Sequence, residues 1–287
     1  MRSAMYNMTT KTVIQKPDLD TCLTALIMEV SFSDEIVMVT EDAPDDEIRN
    51  PAVLCIEAGG SGLVHLNNFD HHDPDNYFSP ACLQAYEYKG IKDERLERLV
   101  RYVCMVDDRA EERQAIPFPS LSAIFSGMLL AETDPLKQFH DGVEMLKIVL
   151  KDDVNPFSAM PDIPEWADYR KAKEINTEKL KNIQEETVLY NSKNGLRIGY
   201  LESEAIGGIG FLYEQGCDVV IMHNPSFGNP PVIKFTIAGN KKKISHLLKY
   251  FDTIESGWGG RNTIIGSPRT GTTLKPEIVI GIVKDNL

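Results

Sequence analysis

Short apolar runs alternate with amphipathic stretches through the first part of the chain. Thr12-Val13-Ile14-Gln15 reads as a strand, and Leu19 to Val30 as a helix with Leu23, Leu26, Ile27 and Val30 on one face. Ile36 to Thr40 and Ala52 to Ile56 are two further strands, separated by the acidic loop Glu41 to Glu47. Ala58-Gly59-Gly60-Ser61-Gly62 breaks the pattern, and Leu63 to Asn67 reads as a fourth strand. Helices are expected at Ser79 to Lys89, Asp93 to Met105, Ser120 to Leu130 and Pro135 to Leu150. Asp152 to Pro164 reads as a linker, and Glu165 to Leu189 as a long charged helix. The α/β pattern then restarts. Strands are expected at Leu196 to Tyr200, Asp218 to Met222, Pro231 to Ala238 and Glu277 to Val283, with a Gly-rich helical segment after the first and a short helix at Ile244 to Phe251.

Alternating strands and helices predict an α/β fold. The N-terminal part should be a doubly wound, mostly parallel sheet, joined by a long helix to a smaller C-terminal α/β domain. The expected boundaries are 1–160, a connecting helix 161–190, and 191–287.

Composition adds bounds. The 287 residues are 42% hydrophobic and 25% charged, an ordinary globular balance that excludes disorder as the dominant state. No apolar run approaches the roughly 18 residues of a membrane span, and Met1 to Lys16 lacks the apolar core of a secretory signal. The five cysteines form no CxxC pair, which suits reduced thiols in a cytoplasm. The net charge of −13 argues against a protein that coats nucleic acid. That charge is uneven: residues 188–287 carry +3, and the rest −16. The acidic part could hold divalent cations and the mildly basic part the anionic end of a substrate, or both could be ordinary solvated surfaces.

Four polar clusters sit at or just beyond expected element ends, the edge at which open parallel sheets bind ligands. They are Gln15-Lys16-Pro17-Asp18-Leu19-Asp20, Glu57, Asp70-His71-His72-Asp73, and Val106-Asp107-Asp108. Asp18 could equally cap the helix that follows, and a Val-Asp-Asp at a helix end is commonly solvated. Together, however, converging carboxylates would repel unless cations neutralised them. Carboxylates mixed with imidazole suit Mn²⁺, Mg²⁺ or Zn²⁺, with a lean towards Mn²⁺. Two such ions with a bridging carboxylate are an arrangement for phosphoryl hydrolysis.

On these motifs the chain resembles the DHH phosphoesterase superfamily. The first motif is Gln15 to Asp20, with Gln15 standing where the resemblance expects a histidine. The second is Glu57 in place of an aspartate, the third is Asp70-His71-His72, and the fourth is best matched by Asp107, which directly follows the apolar stretch Val103 to Val106. The C-terminal part resembles the DHH-associated substrate domain through Trp258-Gly259-Gly260-Arg261-Asn262-Thr263-Ile264-Ile265-Gly266 and Arg269, with Arg261 where a histidine is usual. Glycines let backbone N–H groups approach phosphate, and arginine is a bidentate phosphate partner.

The resemblance implies two Mn²⁺ ions, or Mg²⁺ in their place. Asp18 and Glu57, with Gln15 as a weak addition, would hold the first. Asp20, Glu57, His71 and Asp107 would hold the second, with Glu57 bridging. His72, with Asp70, would serve the scissile phosphate. Gly259, Gly260, Arg261, Asn262 and Arg269 would grip the far end of the substrate. The implied activity is hydrolysis of a small phosphodiester or short oligonucleotide by a metal-activated water. Long duplex nucleic acid and membranes are not expected partners, and a homodimer is left open. Gln15 and Arg261 keep open a catalytically impaired nucleotide or phosphate binder on the same fold, and inorganic pyrophosphate is an alternative substrate. Trp258 and Phe227 could stack a base or belong to the core.

Overall fold

The computed structural model describes residues 11–73, 76–108, 116–182, 186–228 and 230–287, with the side chains of Asp108 and Asn182 excepted. Most of the segment considered for a secretory signal lies outside them. Two compact units divide the chain, residues 1–174 and 175–287.

The N-terminal unit is built on four parallel strands in the order β2-β1-β3-β4: β1 (Lys11–Ile14), β2 (Glu35–Met38), β3 (Val53–Ile56) and β4 (Asn68–Phe69). Both faces are covered, as parallel sheets require. Ile14, Leu54, Ile56 and Phe69 point into the main core, while Val13, Val53 and Cys55 form a second cluster with Ala43 and Ala58 on the opposite face. Period-2 alternation thus sends each strand's side chains to both sides. Helices α1 (Leu19–Ile27), α3 (Ala81–Lys89), α4 (Glu94–Asp108), α5 (Leu121–Ala131) and α6 (Pro135–Lys151) contribute to the main core. The short α2 (Asp45–Ile48) lies in the acidic loop, and α7 (Ala167–Asn182) follows the expected linker.

Three expectations need correction here. Leu63 to Asn67 is not a strand: Val64–Leu66 form a 3₁₀ turn ended by Asn67 in the left-handed region (φ +60°), and the strand is Asn68–Phe69. The apolar spacing of Leu63, Val64 and Leu66 fits either conformation, so periodicity alone misplaces the strand. Asp152 to Pro164 is no free linker, because Met160 and the adjacent Trp166 are buried in the N-terminal core. The long helix also stops early. Its expected last residues are extended instead, because the β-favouring Val188–Asn191 form β5.

The C-terminal unit is a mixed sheet in the order β5-β6-β7-β8-β10-β9, with β6 (Arg197–Glu202), β7 (Val219–Phe227), β8 (Val232–Gly239), β9 (Gly259–Arg261) and β10 (Ile264–Gly266). Among the described residues of this sheet only the β6–β7 pairing is parallel, and α8 (Gly208–Glu214) makes that crossover. Leu212 of α8 covers Leu201 and Val220 on one face. Ile198, Ile221, Phe235 and Ile237 meet α10 (Pro276–Asn286) on the other; a short α9 (Leu248–Phe251) supplies Phe251. The expected strand Glu277 to Val283 is therefore wrong. Its Ile/Val run reads as β, but Pro276 opens a helix and Val279, Ile280 and Val283 are buried at helical spacing. Among the described residues no helix is long and apolar enough to cross a membrane, and all five cysteines are free thiols.

Candidate metal centre

The centre forms where β1, β3 and β4 end, beside Asp107 of α4. The turn after β1 delivers Asp18, which caps α1: the Thr21 N–H donates to Asp18 Oδ1 (3.0 Å). The capping alternative is thus realised. The other oxygen, Oδ2, lies 2.8 Å from Lys16 Nζ. Two residues on, Asp20 is 1% exposed and receives the N–H groups of Ala81 and Cys82, each at 2.7 Å. Those are the first donors of α3, and a helix N-terminus attracts a carboxylate. Asp20 therefore locks α1 to α3 while its remaining lone pairs stay available.

Glu57 directly follows β3 and is 2% exposed, with its backbone in the left-handed region (φ +50°). Few non-glycine residues occupy that region, and such conformations gather at functional sites. Thr21 Oγ1 donates to Glu57 Oε2 (2.9 Å). Glu57 Oε1 is buried and accepts no hydrogen bond among the described residues, although His71 Nε2 lies 3.1 Å away and His72 Nδ1 3.6 Å. His71 Nε2 also lies 3.4 Å from Asp107 Oδ2. The Gly-rich turn after β3 brings Ser61 to Asp70, to which its hydroxyl donates (2.7 Å). Asp70 Oδ1 in turn holds His72 Nδ1 at 2.9 Å.

The electrostatics follow from this crowding. Burial and the Glu57 charge push the Asp20 carboxyl up to about 7, against the pull of its hydrogen bonds at Cys82. Burial raises Glu57, and repulsion from Asp18 adds to it, while pairing with His71 opposes. The carboxylates of Glu57 and Asp107 raise His71 to about 9. Burial works against ionisation of Asp18, but the Lys16 ammonium outweighs it and holds that carboxyl low. Burial likewise opposes the Lys16 charge, and Asp18 and Glu57 outweigh it, so Lys16 is raised. For Asp70, the hydrogen bonds from His72 and Ser61 prevail over burial and lower it.

Two donor groups have the spacing to share an ion: Glu57 with His71 and His72, and Asp20 with His71 and Asp107. They fit a divalent cation on an observation of the buried groups themselves. Glu57 Oε1 is a buried carboxylate oxygen whose neighbours are imidazole nitrogens, 3.1 Å and 3.6 Å away, with no well-directed hydrogen bond among the described residues, and a cation there would satisfy it. Asp18 belongs to neither group. Gln15 is half-buried in the turn after β1, and its neighbour Lys16 is the residue that reaches the carboxylates. The Asp108 side chain lies outside the described residues.

Beside the centre, a cleft of about 560 Å³ is lined by Asp18, Asp20, Asp107 and Phe125 and by Ser126 and Lys173. Lys173 Nζ donates to Ser126 Oγ (3.1 Å), and burial lowers its pKa. Sequence reasoning passed over Lys16, Thr21, Ser61 and Lys173. For Lys16 there was a signal, a lone cation within an acidic turn. Lys173 looked like one more charge on a charged helix.

In the C-terminal unit, the expected phosphate loop is a β-hairpin. Gly259, Gly260 and Arg261 are exposed on β9. Gly260 has φ +145°, and a Cβ there would lie 2.3 Å from the Ile264 carbonyl oxygen, so hairpin packing alone requires this glycine. Asn262 occupies the turn and accepts a hydrogen bond from Ser245 Oγ at 3.2 Å. Arg269 follows β10, where its charge helps to lower the pKa of the partly buried Lys234. Trp258 is core, stacked on Phe251 at 3.9 Å, whereas Phe227 is exposed.

No family model matches the chain. Among solved structures, it is similar over 98% of its length, and 87% of the other chain, to a DHH-domain protein described as a member of a family of ribosomal proteins; identity is 11% and the TM-score 0.57. It is also similar to RecJ from Thermus thermophilus, solved in complex with Mn²⁺, at 11% identity and a TM-score of 0.48, over 96% of this chain and 51% of that one. The chain spans about half the length of RecJ. The fold is that of a DHH-domain protein.

Proposed function

We propose that the chain is a divalent-metal-dependent phosphoesterase acting on a small phosphodiester, such as a nucleotide derivative or short oligonucleotide. The observation that carries this reading is Glu57, a buried carboxylate held in a left-handed backbone with one oxygen lacking a hydrogen bond, facing His71 and His72. Asp20, Glu57, His71 and Asp107 would hold the ion, and Mn²⁺ suits a carboxylate-rich set with one imidazole. A divalent ion supplies Lewis acidity to a phosphoryl oxygen and lowers the pKa of water.

The remaining roles belong to this chain's own side chains. Asp70 orients His72 through Nδ1, which leaves Nε2 as the nitrogen that takes or gives a proton. Ser61 and the backbone N–H of His72 steady Asp70. The neighbouring cleft offers an apolar wall from Val103, Phe125 and Leu129 and a cation, Lys173. That combination suits a ring beside an anionic group better than a bare small anion.

The test is hydrolysis of bis(p-nitrophenyl) phosphate and of a panel of dinucleotides by chelator-treated protein, with and without Mn²⁺. Turnover should require metal and fall at least about 100-fold in His71→Ala. Asp152→Asn, distant in sequence from all four clusters, should retain it. Metal-independent turnover, or full activity in His71→Ala, would overturn the assignment. Tight nucleotide binding without turnover would favour the non-catalytic binder instead.

A further inference from the structure

Within the centre, Asp18 is paired with a cation of the chain itself, Lys16. Its Oδ1 is committed to the Thr21 N–H at 3.0 Å, and its Oδ2 faces Lys16 Nζ at 2.8 Å. The donor atoms arranged to share an ion lie elsewhere, on Glu57 with His71 and His72 and on Asp20 with His71 and Asp107. An ion seated against Asp18 would have to displace an ammonium already in contact. His71 Nε2 instead stands between Glu57 Oε1 at 3.1 Å and Asp107 Oδ2 at 3.4 Å, an imidazole nitrogen where an ion could be held. Lys16 also precedes Pro17, and a residue before proline favours extended backbone, which narrows the conformations open to it.

We propose that the Lys16 ammonium stands in place of a second divalent cation, so that the centre binds one metal ion per chain, at His71 and the carboxylates grouped with it. This inference rests on the metallo-phosphoesterase reading and revises the pair of ions that the sequence resemblance implies. In it, Lys16 is a half-exposed positive charge beside the same acidic cluster as the metal. An ammonium is a good point-charge partner for a phosphate oxygen, so Lys16 supplies part of the neutralisation that a second ion would otherwise give.

The test is calorimetric titration of Mn²⁺ into the chelator-stripped full chain, paired with electron paramagnetic resonance of the loaded protein. Wild type should bind one ion and give an uncoupled Mn²⁺ spectrum. Lys16→Arg keeps the charge and should also bind one. Lys16→Gln removes the charge, releases Asp18 Oδ2 and offers an amide oxygen; it should bind two ions and show the spectrum of a spin-coupled pair. Two ions in wild type would overturn the proposal and leave the phosphoesterase reading standing, as would a single ion in a folded Lys16→Gln. No ion in wild type would overturn both.

Discussion

Glu57 concentrates the chemistry of the N-terminal unit in one side chain. It is buried, it sits in a backbone region unfavourable to residues with a Cβ, and it faces other carboxylates. Each of these features costs stability in the metal-free chain, on the order of 1–3 kcal/mol for the backbone alone. Glu57→Gln keeps the shape and removes the charge. It should leave the metal-free protein as stable as wild type or more so, because a neutral amide is cheaper to bury than a carboxylate. The same variant should lose the rise in Tm that Mn²⁺ gives wild type, since a ligand that binds only the folded state stabilises it by mass action. Thermal unfolding with and without Mn²⁺ checks both halves. A Glu57→Gln protein that still gains Tm from Mn²⁺ would remove Glu57 from the ligand set.

At the scale of elements, the site is a product of strand ends and helix starts. β1 and β3 were legible because Val13, Ile14 and Val53 to Ile56 form compact apolar runs followed by polar turns, and this put Asp18, Asp20 and Glu57 at the sheet edge from sequence alone. The Asp70-His71-His72 cluster was legible from its rarity, although the strand before it was misplaced by the ambiguous spacing of Leu63, Val64 and Leu66. What sequence could not show were contacts fixed by tertiary packing: the two α3 N–H groups on Asp20, Lys16 folded back on Asp18, and Lys173 reaching the cleft. Helix α10 was missed because Ile278-Val279-Ile280 has β-branched composition, and only its packing against the C-terminal sheet reveals the helical face. Packing also dictates Gly127 on α5, where an added Cβ would lie 1.9 Å from the Tyr169 carbonyl oxygen on α7. Backbone cannot yield cheaply, so Gly127→Ala should cost about 1–3 kcal/mol, read as a lower urea midpoint. Lys173, on the same helix as Tyr169, should act on substrate rather than on metal. Lys173→Met should raise KM for an anionic substrate about tenfold with Mn²⁺ affinity unchanged, and an unchanged KM would place the substrate elsewhere.

For the whole molecule, the centre makes stability depend on pH in a direction set by its raised groups. Asp20 is held at about 7 in the folded chain against an ordinary 3.8, and His71 at about 9 against 6.5. Both bind protons more tightly when folded, so stability falls as pH rises through these windows. The His71 contribution is fully present below about 6.5 and lost by about 9; the Asp20 contribution is lost on approaching 7. Asp18 and Asp70 are lowered groups, and their contributions vanish only at acid pH, well below this range. Between about pH 6 and 9 the metal-free protein should therefore weaken by at most about 4 kcal/mol, a Tm decrease of roughly ten degrees. Divalent metal reverses the slope. A ligating imidazole must be neutral, so binding expels the His71 proton and tightens as pH rises towards about 9. The gain in Tm from Mn²⁺ should then grow from about pH 6 to about pH 8.5, and calorimetric titrations in buffers of different ionisation enthalpy should show between about one and two protons released per ion near neutral pH, from His71 and in part from Asp20. A proton count of zero would mean that His71 is not displaced, and the ion would have to be sought on other donors.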